Sequence, residues 1–306
     1  MHFDPMMSVA GLIVGVLVGL TGMGGGALMT PILVLIFNTN PATAVSSDLV
    51  TSLFMKPVGG AVHWRRATVH KGIVKWLLVP AVPAAFAGVF VLNALGNGQT
   101  LQDRVKLGLG AALLMAFVTM VIRELMHRGE TVGDGLDEPV RRGLTLLVGG
   151  VGGLVVGMTS VGSGSMIIVA LMWLYPRLSN RVLVGTNLVQ AVPLVGAAAL
   201  GHVLFGHVQA GITASLLVGA LPGVFAGAQV SSRTTTNWLR PVLAAVLLAS
   251  ALKLLDVPST ITGIAAFAVG VVLLLLPVLQ RRLRAPEQAL EPAPRDTSPR
   301  AHLSKV

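Results

Sequence analysis

Two apolar runs, residues 8–37 and 143–175, are each too long for one bilayer crossing, and each is interrupted near its middle by small polar residues. The interruptions read "TGMGGG" over Thr21–Gly26 and "TSVGSGS" over Thr159–Ser165. A spanning helix takes roughly 20 apolar residues, and contiguous glycines break a helix rather than continue it. Each run is therefore expected to fold as two short helices with a break between them. Lipid cannot satisfy the backbone groups freed at such a break, so the break must be buried in protein or line a cavity.

The rest of the chain belongs to the same solvent. Further apolar runs lie at 42–62, 73–95, 105–125, 182–204, 211–230, 241–254 and 261–279. With 54% hydrophobic and only 11% charged residues and a mean hydropathy of +0.81, polar surface is too scarce for a water-soluble globule. An all-α polytopic membrane protein is expected, with no room in 306 residues for a large soluble domain. Cysteine is absent, which excludes disulfides, thiolate metal sites, iron–sulfur clusters and covalent haem attachment. No Lys or Arg precedes Lys56, so the first run lacks the basic flank of a secretory signal and is expected to be retained.

The two long runs are copies of one another. With Gly11 placed on Gly149, Gly15 and Gly19 fall on Gly153 and Gly157, and "GLTGMGGGAL" falls on "GMTSVGSGSM" without a gap. After a one-residue change in the connection, Val45, Asp48, Leu49, His63, Gly72, Pro83, Phe86 and Gly88 fall on Val184, Asn187, Leu188, His202, Gly211, Pro222, Phe225 and Gly227. The chain reads as a tandem duplication.

Basic residues set the expected orientation of the copies. Arg65, Arg66, Lys71 and Lys75 follow the second run, whereas the matching stretch from His202 to Gly211 holds no Lys or Arg. One connection earlier the bias reverses: "FNTNP" is uncharged and "YPRLSNR" carries Arg177 and Arg181. Matched loops thus belong on opposite sides, which requires inverted repeats. The expected fold is two inverted repeats, each a re-entrant broken-helix hairpin plus three spanning helices, with one extra C-terminal span. The corresponding segments are a first repeat at 1–126, a cytoplasmic linker at 127–142, a second repeat at 143–255, a final span at 256–280 and a disordered cytoplasmic tail at 281–306. The N-terminus then lies outside and the C-terminus inside. The net charge of +10 follows from this topology and the basic tail, and needs no nucleic acid.

A helix that restarts within the membrane presents unpaired N–H groups and the positive end of its dipole, which favours an anion. Inverted halves would bring two such ends to one midplane site. Gly22, Gly24, Gly25 and Gly26 in the first break, with Thr21, and Thr159, Ser160, Gly162, Ser163 and Ser165 in the second, are the expected substrate-binding residues. The glycines at every fourth position, Gly11, Gly15, Gly19, Gly149, Gly153 and Gly157, are read instead as packing residues that hold each hairpin closed. "GMGGG" is not a nucleotide loop, since no strand precedes it and no GK[ST] follows.

These motifs, "GLTGMGGGALMTPIL" and "GMTSVGSGSMI", followed by helices beginning "ATAVSSDL" and "VLVGTNL", resemble the TauE/SafE sulfite exporter family of bacterial membrane permeases. The resemblance spans about residues 8 to 280. It implies ATP-independent movement of small sulfur-containing anions, such as sulfite or organosulfonates, across the inner membrane.

Ionisable residues inside spans are functional candidates. Asp48, Ser52 and Lys56 share one helix face at i, i+4 and i+8. Asp48 has two open readings, a helix-end hydrogen bonder or a coupling group that exchanges protons; Lys56 has two, a snorkelling cation or an attractor of substrate. Thr186, Asn187 and Gln190, at the matched place in the second half, are expected to line the site without charge. His63 and His202 are read as structural, capping carbonyls at helix ends, and Trp64, Trp76, Trp173, Tyr175 and Trp238 as interface anchors. No cofactor or metal is implied, the partners are a small anion and the bilayer, with protons as the candidate coupling ion, and the oligomeric state is left open. Rival readings are an anion channel, a carrier of other small organic anions, and a membrane enzyme or assembly factor. The last finds no paired carboxylates, His cluster or nucleophile–base set at membrane depth.

Overall fold

The computed structural model describes residues 3–21, 25–65, 67–94, 98–125, 135–205, 208–231 and 239–288. Among these, all regular structure is helical: α1 (Pro5–Thr21), α2 (Gly26–Leu35), α3 (Pro41–Arg65), α4 (Lys71–Ala94), α5 (Gly98–Leu125), α6 (Arg142–Thr159), α7 (Met166–Leu174), α8 (Asn180–Leu204), α9 (Ala210–Ser231), α10 (Leu239–Leu254) and α11 (Ser259–Gln288). Both long runs are split as their composition requires, the first into α1 and α2, the second into α6 and α7. At 17 residues α1 rises about 25 Å, and at 10 residues α2 rises about 15 Å.

The second break is built from two left-handed residues. Ser160 ends α6 at φ 60° with its N–H on the Val156 carbonyl, and Gly162 sits at φ 99°, a backbone state only glycine adopts without strain. The chain then doubles back. Gly152 of α6 lies against Ile167 of α7, and at the base of the hairpin the Thr145 hydroxyl meets the Tyr175 phenol, which also accepts the Arg141 N–H. Tyr175 is fully buried. Its predicted place as an interface anchor is thereby corrected: the ring serves as an internal strut because its hydroxyl finds two partners there. Trp64 and Trp173, by contrast, are exposed near helix ends, and Arg142 lies over the Trp76 ring. Trp238 lies outside the described residues.

The glycine stripes do not close their own hairpins. Gly11, Gly15 and Gly19 of α1 face the α9 backbone at Leu216, Ala220 and Val224, while Gly149, Gly153 and Gly157 of α6 face the α4 backbone at Leu77, Ala81 and Ala85. A β-carbon on Gly15 would lie 2.5 Å from the Ala220 carbonyl oxygen, so only glycine permits the approach. Leu216, Ala220 and Val224 are the sequence counterparts of Leu77, Ala81 and Ala85. The contacts are therefore reciprocal, and each half lends its first helix to the other. The expectation erred because a small-residue stripe shows which face packs closely but not its partner.

α3 and α8 occupy the centre and run antiparallel. Ser46 meets His202, Leu53 lies beside Gly196, and Gly60 lies beside Leu188 and Val192. α2 lies antiparallel to α3, with Thr30 at Asp48 and Gly25 near Ser52. α5 and α10 pair at the side, and α11 covers α10. The outer surface is apolar, with Ile264 and Phe267 of α11 and Phe90 and Phe225 of α4 and α9 exposed, as lipid contact demands. Five helices are long and apolar enough to cross a membrane: α4, α5, α6, α8 and α9. α3 is long but carries a polar stripe, and the apolar parts of α10 and α11 are shorter. α11 continues to Gln288 through "QRRLR", so helix extends into the stretch assigned from composition to the tail.

Candidate functional site

One face of α3 is polar and buried. Asp48 and Ser52 are at most 1% exposed and Lys56 is 5% exposed, although the helix lies among apolar neighbours. Buried polar groups need partners. The partners come from α2 and from the second chain break.

The Asp48 carboxylate is a hub. Its Oδ2 accepts from the Thr30 hydroxyl of α2 at 3.0 Å and from the Ser160 hydroxyl of the second break at 2.6 Å. Its Oδ1 accepts from Ser52 at 3.4 Å. Two turns along the same face, Lys56 Nζ donates to the Ser163 hydroxyl at 2.6 Å. Asp48 and Lys56 thus hold the second break at two points three residues apart. The first break lies over the middle of the face, where a β-carbon on Gly25 would stand 3.2 Å from Ser52 Oγ and 3.4 Å from Asp48 Oδ1. Gly26 abuts the Ser160 backbone so closely that a β-carbon would collide with its carbonyl. The two breaks therefore touch each other beside Asp48.

α8 supplies uncharged groups on the other side of the second break. Asn187 donates to the Gly164 carbonyl at 3.3 Å, and Gln190 donates to Asn187 at 3.1 Å. Gln190 Oε1 and Ser47 Oγ are buried without a hydrogen-bond partner among the described residues. Neither α2 nor α7 has a side-chain cap: Gly25 and Ser165 precede them without one. Within these first turns the Leu28 N–H bonds the Gly25 carbonyl and the Ile167 N–H bonds the Gly162 carbonyl.

The predicted residues divide accordingly. Gly25, Gly26, Ser160, Ser163, Asp48, Lys56, Asn187 and Gln190 converge, and Gly162 provides the turn between the two serines. Ser165 is half-buried at the start of α7. Thr21 and Thr159 each bond back to the carbonyl four residues earlier, on Leu17 and Val155, and the Thr159 hydroxyl also accepts the Val161 N–H inside the second break. Thr186 accepts the His70 N–H and so anchors the start of α4 instead of facing the breaks. Gly22 and Gly24 lie outside the described residues, as does the side chain of His63. His202 is fully buried, with its ring between the Ser46 hydroxyl at 2.7 Å and the Gly157 carbonyl at 2.9 Å. It does meet a carbonyl at a helix end, but that end belongs to α6.

Thr30 and His70 carry weight that sequence reasoning passed over. A threonine just before Pro31 in an otherwise apolar helix was the available signal for Thr30. His70 accepts the Ile73 N–H at the start of α4 and reaches the Glu138 carbonyl, tying the linker to the bundle. Among the described residues no three His, Asp or Glu side chains gather as metal ligands.

Comparison with known proteins places the chain in a family. Residues 7–254 match the model of the family described as sulfite exporter TauE/SafE. The chain is 36% identical over 248 residues to the probable membrane transporter protein YjnA of Bacillus subtilis (strain 168), covering 80% of this chain and 97% of that protein. Two further proteins of the same organism, the probable membrane transporter proteins YdhB and YunE, are 24% and 21% identical, over 77% and 79% of this chain and 96% and 94% of their own lengths. No solved structure matches. The chain belongs to the TauE/SafE sulfite exporter family.

Proposed function

We propose that the protein is a secondary transporter of small sulfur oxyanions, sulfite or an organosulfonate, in the bacterial inner membrane, and that the anion binds near the midplane between the two chain breaks. The observation that carries this reading is the meeting of the breaks over one buried face: Gly26 against Ser160, with Asp48 and Lys56 beneath them and no side-chain cap on either following helix. Apolar surroundings strengthen every dipole and charge there. The family match and the names of the relatives favour transport over catalysis.

In this reading α1–α2 and α6–α7 are re-entrant hairpins, and the halves at 1–126 and 143–255 are inverted. The antiparallel packing of α3 on its counterpart α8 supports the inversion, as does the reciprocal exchange of α1 and α6. Seven helices then cross fully, with the N-terminus outside and the C-terminus cytoplasmic. Asp48 is the coupling residue and protons are the coupling ion. An anion leaving alone would be driven out by a negative interior, by about 2.3 kcal/mol per charge per 100 mV.

Near-complete burial of Asp48, Ser160 and Ser163 favours an alternating, occluded site over an open channel. Flux into proteoliposomes tests the reading. Uptake of labelled sulfite or a sulfonate should saturate and be inhibited by the other sulfur oxyanions. Flux that rises linearly with concentration would support a channel, and no flux with any of these anions would contradict the substrate class.

A further inference from the structure

The charges at the breaks are matched in an unusual way. Among the described residues the one ion pair joins Lys106 and Asp256 at the surface. Lys56 and Asp48 are buried yet not paired directly: each instead bonds a serine of the same break, Ser163 and Ser160. A lysine ammonium has three donors, and here one neutral hydroxyl is its hydrogen-bond partner. Asp48 is the only carboxylate on the buried face of α3. Among the described residues, the elements packed on that face bring no other charge to it: Thr30 comes from α2, Ser160 and Ser163 from the second break, and Asn187 and Gln190 from α8. The described part of α9 between Ala210 and Val230 carries no ionisable side chain. α5 meets the far end of α3, where Gln102 accepts the Ala42 N–H, and His202 faces Ser46. Without substrate, an ionised Asp48 and a charged Lys56 leave the buried face neutral overall.

A bound anion upsets that balance. It would place two negative charges beside one ammonium in a space closed to water, an arrangement that buried sites avoid by neutralising a group. Lys56, when charged, has donors beyond the one that Ser163 occupies, so it can serve as the anion's counter-ion. Asp48 is the group that can change its charge.

Resting on the reading of the breaks as an anion site, we propose that a bound monoanion replaces Asp48 as the counter-ion of Lys56, and that Asp48 takes up one proton as the anion enters. The step is a proton transfer from water to the carboxylate, and no other bond changes. The protonated carboxyl gains a donor where the carboxylate only accepts, and it gives that hydrogen bond to the bound anion or to one of the hydroxyls of Thr30, Ser160 and Ser52. The second half cannot do this, because Asn187 stands in the place of Asp48 and Val195 in the place of Lys56. One proton per negative charge also makes translocation electroneutral, so a pH gradient rather than the membrane potential drives the substrate.

Isothermal titration calorimetry on the purified full chain tests this with methanesulfonate, whose charge does not vary with pH. Repeating the titration in buffers of different ionisation enthalpy counts protons. The wild type should take up about one proton per methanesulfonate at a pH where empty Asp48 is ionised, and its Kd should rise toward tenfold per pH unit there. At pH values where Lys56 keeps its proton in both proteins, Asp48→Asn should bind more tightly than wild type, take up no proton and show a flat Kd, while Lys56→Gln should lose binding by at least tenfold. Wild-type binding without proton uptake and with a flat Kd overturns the proposal, whether or not the variants fold. Proton uptake that persists in Asp48→Asn overturns it as well. Absence of binding by methanesulfonate, thiosulfate and sulfite alike would overturn the anion site itself, a separate failure.

Discussion

At the scale of residues, the site rests on a few positions where one atom decides the geometry. Gly162 is the clearest, since its φ of 99° and its place between Ser160 and Ser163 set the spacing that Asp48 and Lys56 grip. Gly162→Val would force a β-branched residue into a left-handed backbone, at a cost of about 1–3 kcal/mol. The expected outcome is a protein that still inserts but transports at least tenfold more slowly, read as initial flux per mole of protein in proteoliposomes. Normal flux would reduce the second break to a packing feature. Much of this site could be read in advance from composition, because serines, contiguous glycines and an aspartate are expensive at membrane depth and stand out against valine and leucine. Thr21 and Thr159, which both bond a carbonyl of their own helix, and Thr186, which accepts the His70 N–H, show what composition leaves open. A hydroxyl in an apolar helix can always satisfy itself on a nearby carbonyl, and sequence does not say which hydroxyls do.

The elements show the same division between what the chain declares and what only packing reveals. Breaks at Thr21–Gly26 and Thr159–Ser165, and the duplication itself, follow from local chemistry and were legible. The partner of each glycine stripe was not, because α1 and α9 belong to opposite halves of the chain. Substituting Gly15 by leucine should drive α1 away from Ala220 and lower stability by about 1–3 kcal/mol or more. A contrasting change is available in α5, where nothing lies within 4 Å of a β-carbon on Gly108. Gly108→Ala should raise stability by roughly 0.5–1 kcal/mol through helix propensity alone. Thermal denaturation in detergent compares the two, and equal effects would mean that the α1–α9 contact is looser than Gly15 implies.

For the whole molecule, the proposed function depends on how the two halves are set against each other. Sequence-matched helices α3 and α8 run antiparallel at the centre, and each half gives its first helix to the other, so both breaks converge on the α3 face. Two halves entering the membrane from the same side would leave no reason for matched loops to differ so sharply in basic charge. The proposed anion site depends on their entering from opposite sides. The absence of cysteine from the chain makes this directly measurable. Arg65 and Gln209 are exposed at the ends of α3 and at the start of α9, close to the matched loops. Single variants Arg65→Cys and Gln209→Cys, treated with a membrane-impermeant maleimide on intact and on inverted membrane vesicles, should label from opposite faces, Arg65→Cys from the cytoplasm and Gln209→Cys from outside. Labelling of both from one face would contradict the inverted arrangement, and with it the single site shared by the two chain breaks.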